Sequence, residues 1–162
     1  MSAELIRQDT DYAMRALVHL ALAGQGTRVP AAAIAVAEAI PLNFARKILR
    51  QLHLAGIVDR TMGPGGGFAL SQSPDRITLL RVVEAVQGRV AVGRCGSDGE
   101  TCPRRPHCPV SRALAALERK LREALEGVTV GDVVNTEGAP SAARSGSAGA
   151  GASTRSRKTK ED

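Results

Sequence analysis

The chain has no Trp, one Tyr and two Phe in 162 residues, so its core has to be built from aliphatic side chains. That scarcity excludes one class of partner. Single-strand channels stack successive bases on aromatic faces, and cages for quaternary ammonium groups surround the cation with several rings. Tyr12, Phe44 and Phe68, spread along the sequence, supply neither. Long apolar runs are absent as well: 16–23 contains His19, and 29–42 contains Glu38 and falls short of the roughly 20 residues that a membrane span needs. No secretory leader is visible, so a cytoplasmic protein without a membrane partner is expected. The residue sets of enzymes are missing too. No Ser-His-Asp, paired-carboxylate or nucleotide-binding constellation occurs, and His19, His53 and His107 are the only imidazoles.

What is present is positive charge, 22 Lys and Arg against 16 Asp and Glu, for a net +6 that favours a polyanionic partner. Part of it belongs to the last 27 residues, where five basic residues (Arg144, Arg155, Arg157, Lys158, Lys160) face three acidic ones and 15 positions are Ala, Gly or Ser. A stretch without Val, Leu, Ile, Met or an aromatic residue cannot bury enough surface to offset its ordering entropy. Residues 136–162 therefore read as a disordered basic tail, and the remainder is long enough for one core.

Asp9, Thr10 and Asp11 suit the N-terminus of a first helix, in which Ala13, Leu17, Leu20 and Ala21 recur at helical spacing and which Gly24 and Gly26 end. A short Ala-rich helix should follow Pro30 and run to residue 39. The third helix, about 42–55, has two unlike faces. Phe44, Ile48, Leu52 and Ala55 form an apolar stripe with Ala45 and Leu49 beside it, whereas Asn43, Arg46, Lys47 and Arg50 stand at i, i+3, i+4 and i+7 on the other side. Three cations one turn apart repel each other unless a polyanion lies against them. Gly56 suits the C-terminal cap. Two short runs then flank Gly63-Pro64-Gly65-Gly66-Gly67, which reads as a β-hairpin rather than a phosphate loop, because the Lys-Ser/Thr of such a loop is missing. Two helices, a basic third helix and a glycine-tipped hairpin make a winged helix-turn-helix over residues 1–88, with the third helix in the major groove of double-stranded DNA and the bare wing backbone against the sugar-phosphate.

A helix over about 78–88 precedes a loop, 89–109, that holds all three cysteines. They fall within 14 residues, spaced C-x6-C-x5-C among glycines and prolines. Such clustering makes a chelating loop suited to a soft metal centre, an iron-sulfur cluster first of all. Structural zinc sites draw ligands in closer C-x2-4-C pairs, and an unligated thiol switch is the other alternative. A small electron carrier fits the loop alone but gives the basic helix and wing no purpose. Three thiolates leave one position open. His107 adjoins Cys108, Ser111 lies one turn into the next helix, and Asp11 offers a hard oxygen that a second subunit could bring. After the loop, Val110, Leu114, Leu117, Leu121, Ala124 and Val128 repeat with spacing 4, 3, 4, 3, 4, the seam of a dimerisation helix; with a C-terminal turn it fills residues 110–135. The expected fold is mainly α with a small β-hairpin wing, a winged helix-turn-helix domain plus a long dimerisation helix.

Four separated motifs occur in order: Thr10-Asp11-Tyr12-Ala13-Met14-Arg15-Ala16-Leu17, Gly63-Pro64-Gly65-Gly66-Gly67-Phe68, the cysteine triad, and Val128-Thr129-Val130-Gly131-Asp132-Val133-Val134. Over about residues 4–135 the chain resembles the IscR/NsrR family (Rrf-two superfamily) of bacterial winged-helix iron-sulfur transcription regulators. The resemblance implies a homodimeric repressor on a palindromic operator, with a [2Fe-2S] or [4Fe-4S] cluster in each subunit whose response to nitric oxide, redox change or iron supply tunes DNA binding. It assigns Cys95, Cys102 and Cys108 as ligands and carries Asp11, in Thr10-Asp11-Tyr12, over as the fourth, donated to the partner subunit's cluster. The branch of the family that uses a His three residues after the third Cys is not matched, since Ser111 stands there. Family members carry an Arg directly before the wing glycines; Met62 occupies that place, and Arg60, on the same strand face, is the expected substitute. The DNA contacts expected are Tyr12 on a phosphate, Asn43, Arg46, Lys47 and Arg50 on bases or phosphates, Arg60 in the minor groove, and the backbone of Gly65, Gly66 and Gly67. A relative that senses thiol oxidation or another metal without a cluster is the alternative.

Overall fold

The computed structural model describes residues 5–93 and 107–136. Helix α1, Gln8–Leu22, runs through the centre, with Ala13, Ala16, Leu17 and Leu20 buried on one face. Its N-terminus is satisfied both locally and from a distance: Asp9 Oδ1, one of the expected caps, accepts from Thr10 N at 3.1 Å. Thr10 was expected among the local caps as well, but it is fully buried and its hydroxyl donates to Gln87 Oε1 at 2.6 Å, while Arg7 N donates to the same oxygen at 2.8 Å.

Helix α2, Ala31–Ala37, stops two residues short of expectation. Ile40 N donates to Ala35 O (2.9 Å) and Ala39 N to Val36 O (3.3 Å), the paired bonds of a Schellman ending, and Ala39 takes the left-handed position at φ +51°. Helix α3, Leu42–Leu54, ends on the same motif with the residue that suits it: Ile57 N donates to Leu52 O, Gly56 N to His53 O, and Gly56 sits at φ +66°. Buried Ile57 then starts the wing. Strands β1, Val58–Thr61, and β2, Gly67–Leu70, pair antiparallel with Arg60 opposite Phe68 and Thr61 opposite Gly67. A third segment joins them, because Val29 and Phe68 exchange both backbone hydrogen bonds at 2.9 Å.

A single 3-10 turn, Pro74–Arg76, leads to α4, Leu79–Gln87, whose N-cap Thr78 accepts from Arg81 N. Helix α5, Pro109–Glu126, lies against α4 through Leu121 and Leu125, which join Leu80, Val83 and Val90. Ion pairs border this contact: Arg122 Nη1 reaches Glu84 Oε1 at 2.5 Å, and Arg89 reaches the buried Glu118 at 3.7 Å. The hydrogen bond to Glu84 holds the Arg122 guanidinium above the ordinary arginine value, against the opposing effect of burial.

The stretch read as a C-terminal turn is a helix, α6, Val130–Thr136. Thr129 and Asp132 open it as a capping box, each side chain accepting from the other's backbone N–H (3.1 and 3.0 Å). Val130 N donates to Ile77 O and Leu79 N to Val128 O, both at 2.8 Å, which places Val130 in the main core with α1, α3, α4 and the wing. The expected 4-3 seam of α5 divides. Ser111 and Glu118 are the buried positions, Leu114 and Leu121 lie on the shoulder, and Val110 and Leu117 remain 59% and 52% exposed. Val128 lies beyond the helix end.

Candidate functional site

On α3 the burial follows the sequence pattern with one correction. Ala45, Ile48, Leu49 and Leu52 face the core, and Asn43, Arg46, Lys47 and Arg50 are all exposed on the opposite side. Phe44, expected on the inward stripe, is half exposed, because Ala45 takes the tight position against α2 while the ring stands on the shoulder, edge-on to Tyr12 at 6.5 Å. Arg46, Lys47 and Arg50 have no ion-pair or hydrogen-bond partner among the described residues, and α3 contains no Asp or Glu. Some arginines elsewhere are paired, Arg7 with Asp9, Arg15 with Glu38, Arg119 with Glu123 and Arg122 with Glu84, whereas Arg28, Arg60, Arg76 and Arg112 have no ion pair among the described residues. Like charges at i, i+4 cost a helix about 0.2–0.5 kcal/mol each, a cost that an apposed phosphate backbone reverses.

The wing is fastened to α3 by residues that sequence reading passed over. Arg81 Nη2 donates to Ala55 O (3.1 Å) and Gly56 O (3.2 Å), Ser71 Oγ lies 2.8 Å from Gly56 O and 2.9 Å from Ile57 O, and His53 Nδ1 donates to Val58 O at 3.0 Å. Arg60 is exposed with its guanidinium 6.0 Å from the Phe68 ring centroid, and Met62 stands in solvent at the start of the turn. Gly65, Gly66 and Gly67, three of the four wing glycines, have different reasons to be glycine. Gly65 is exposed at φ +74°. At Gly66 a Cβ would lie 2.4 Å from Thr61 O. Gly67, expected to meet the duplex through its backbone, is buried instead, and a Cβ there would lie 2.6 Å from the Val29 carbonyl, so it serves internal packing. The bridge at Val29 also brings Arg28, exposed and without a partner among the described residues, to the free edge of this small sheet. A lone Arg before Val-Pro was the available signal.

Tyr12 is half-buried between the two core clusters, and its hydroxyl accepts from Gln8 Nε2 at 3.0 Å. Asp11 is exposed, with Arg15 Nη1 3.8 Å away. Arg15 also donates to the main-chain oxygen of Glu38, and His19 Nδ1 lies 3.1 Å from Glu38 Oε1, so α1 grips the end of α2 beside the left-handed Ala39. The i, i+4 pair Arg15 and His19 was the sequence signal for that grip.

Cys108 is the N-cap of α5, half-buried, with a free thiol. Cys95 and Cys102 lie outside the described residues, and among the described residues no group of three His, Cys, Asp or Glu could hold a metal. The described donors are one soft and one hard: a free thiol at the head of α5 and an exposed carboxylate in a loose surface pair. Ser111 is buried and His107 exposed. Among the described residues no helix is long and apolar enough to cross a membrane.

The family model described as "Rrf2: Iron-dependent Transcriptional regulator" matches residues 6–136. The HTH-type transcriptional repressor NsrR of Streptomyces coelicolor is 34% identical over 127 residues, covering 77% of this chain and 84% of the relative. The HTH-type transcriptional regulator IscR of Aliivibrio salmonicida is 31% identical over 124 residues, 76% of this chain and 73% of the relative. Among solved structures, CymR (YrzC), the global cysteine regulator of B. subtilis, superposes with a TM-score of 0.65 at 20% identity over 84% of this chain and 98% of that one. The IscR of T. potens does so with 0.62 at 15% identity over 85% and 88%. A basic helix whose cations have no partner among the described residues, a wing clasped to it and a family match along all described elements lead to one conclusion: the chain is a member of the Rrf2 family of DNA-binding transcriptional regulators.

Proposed function

We propose that the protein is a homodimeric repressor that binds a palindromic operator and is released when an iron-sulfur cluster in each subunit is altered by nitric oxide, oxidation or iron loss. The observation that carries the DNA half of this reading is the outward face of α3, where Asn43, Arg46, Lys47 and Arg50 stand exposed and three cations have no partner among the described residues. Arg60, Arg28 and the backbone of Gly65 and Gly66 would meet the flanking phosphates and minor groove, and Tyr12 a phosphate beside α3. Cys95, Cys102 and Cys108 would hold the cluster, with Asp11 of the partner subunit as the fourth ligand. When bound, the cluster supplies an iron whose oxygen ligand exchanges more readily than its thiolates. Asp11 suits that role because its ion pair with Arg15, at 3.8 Å on the surface, costs at most about 1 kcal/mol to open. Dimerisation is supported by the open seam at Val110 and Leu117, which stand 59% and 52% exposed on α5.

Anaerobic purification followed by iron and sulfide analysis tests the cluster. A coloured protein containing both, which loses DNA affinity on exposure to nitric oxide and in which Cys108→Ser abolishes the colour, is expected. A colourless protein with neither element after reconstitution overturns the cluster reading and leaves a thiol or metal sensor.

A further inference from the structure

We infer that α3 selects operator half-sites through the acceptor edges of guanine, an inference that rests on the DNA-binding reading above. The outward face of the helix carries Asn43, Arg46, Lys47 and Arg50, and no Asp or Glu occurs along its length. Arg and Lys side chains only donate hydrogen bonds. In the major groove guanine presents two acceptors, O6 and N7, whereas cytosine presents a donor, adenine one of each, and thymine one acceptor beside a methyl group. Three donor-only side chains therefore find their largest set of hydrogen bonds on guanine. The face has no carboxylate with which to accept from cytosine, and the Asn43 amide, which both donates and accepts, suits adenine.

Cations outside α3 are placed to take the flanking phosphates. Helix α2, the helix that crosses the DNA backbone in this motif, is Ala-Ala-Ala-Ile-Ala-Val-Ala, with Val36 83% exposed and no polar side chain at all. Neutralisation beside it falls to Arg28, on one edge of the wing sheet, while Arg60 stands on the strand at the other edge. From Asn43 to Arg50 the helix advances about 10 Å at 1.5 Å per residue. That is the rise of about three base pairs, so the guanines should cluster within about four consecutive pairs of each half-site.

Selection by the full-length protein from duplexes with a randomised centre reads this out. The expected half-sites carry at least two guanines within that span, and replacing them with 7-deazaguanine, which pairs normally but lacks the N7 acceptor, weakens binding about tenfold or more. Arg46→Gln or Arg50→Gln should change one selected guanine to adenine, because Gln pairs bidentately with adenine. An arginine that met only phosphate, or that served only structure, would not move the consensus. Selected sites without clustered guanines, indifference to 7-deazaguanine, or a consensus unchanged in both variants overturns the inference while DNA binding stands. Failure to bind any duplex in a salt-dependent way overturns the DNA-binding reading itself.

Discussion

Ala39 and Gly56 close successive helices with the same pair of backbone hydrogen bonds, yet only one of them is a glycine. A left-handed backbone costs a residue with a Cβ about 1–2 kcal/mol, and Ala39 sustains it because Ile40 is buried beside it and Arg15 and His19 hold Glu38 on its other side. Ala39→Gly should therefore stabilise the protein by up to about 1 kcal/mol in urea titration, whereas Ala39→Val, with a branched Cβ in the same conformation, should destabilise it by at least about 1–2 kcal/mol. Equal midpoints for the two variants would show that the turn relaxes without strain. This difference between the two helix ends also marks how far single residues were legible. Gly56 announced its position by its chemistry, and the glycines of the wing did likewise. Ala39 gave no sign, and neither did Thr10, whose polar character suggested a local cap until its hydroxyl proved to be committed to Gln87 across the core.

At the scale of elements, periodicity found α1 to α5 and the hairpin between glycines, because each buries one face, but it missed the short α6, whose Val130 joins the main core. It did not find how the elements are joined. The passage from α3 to the wing is held by Arg81, which comes from α4 and whose guanidinium donates to the Ala55 and Gly56 carbonyls just past the end of α3, the latter shared with Ser71 Oγ. Arg81→Met keeps the aliphatic stem but leaves those carbonyls without a charged donor, and should lower stability by about 1–3 kcal/mol. DNA affinity should fall with it while the slope of affinity against salt stays unchanged, since Arg81 contacts no phosphate in the proposed mode. A flatter salt slope would mean that Arg81 itself lies on the duplex. The seam of α5 shows the opposite limit. Its 4-3 spacing was plain in the sequence, but spacing does not say which neighbour a stripe faces, and the ion pairs of Glu118 and Arg122 turn the helix so that half of the stripe lies outside the described core.

For the whole molecule, that exposed half-stripe is where the proposed second subunit would sit. Leu117→Asp places a charge there without touching the Leu121 and Leu125 contact with α4. It should convert the dimer to monomer in sedimentation equilibrium and weaken binding to a two-half-site duplex far more than to a single half-site. A variant that remains dimeric would move the interface elsewhere. The contact between α4 and α5 should not respond to pH in the physiological range. The Arg122 value is raised, so the contribution of its charge is complete below the ordinary arginine value and is lost only as pH climbs past a still higher one.

The return of the chain through α6 bears on how any signal could travel. Val130 is sewn into the same core as α1 and its backbone is bonded to Ile77, while α5 is clasped to α4 along its side. A long helix secured in this way does not swing as a free arm. Whatever twists or shifts α5 in a dimer must drag the 3-10 turn, α4 and the head of α1 along with it, so the span between two reading heads behaves as the length of a beam rather than the reach of a tether.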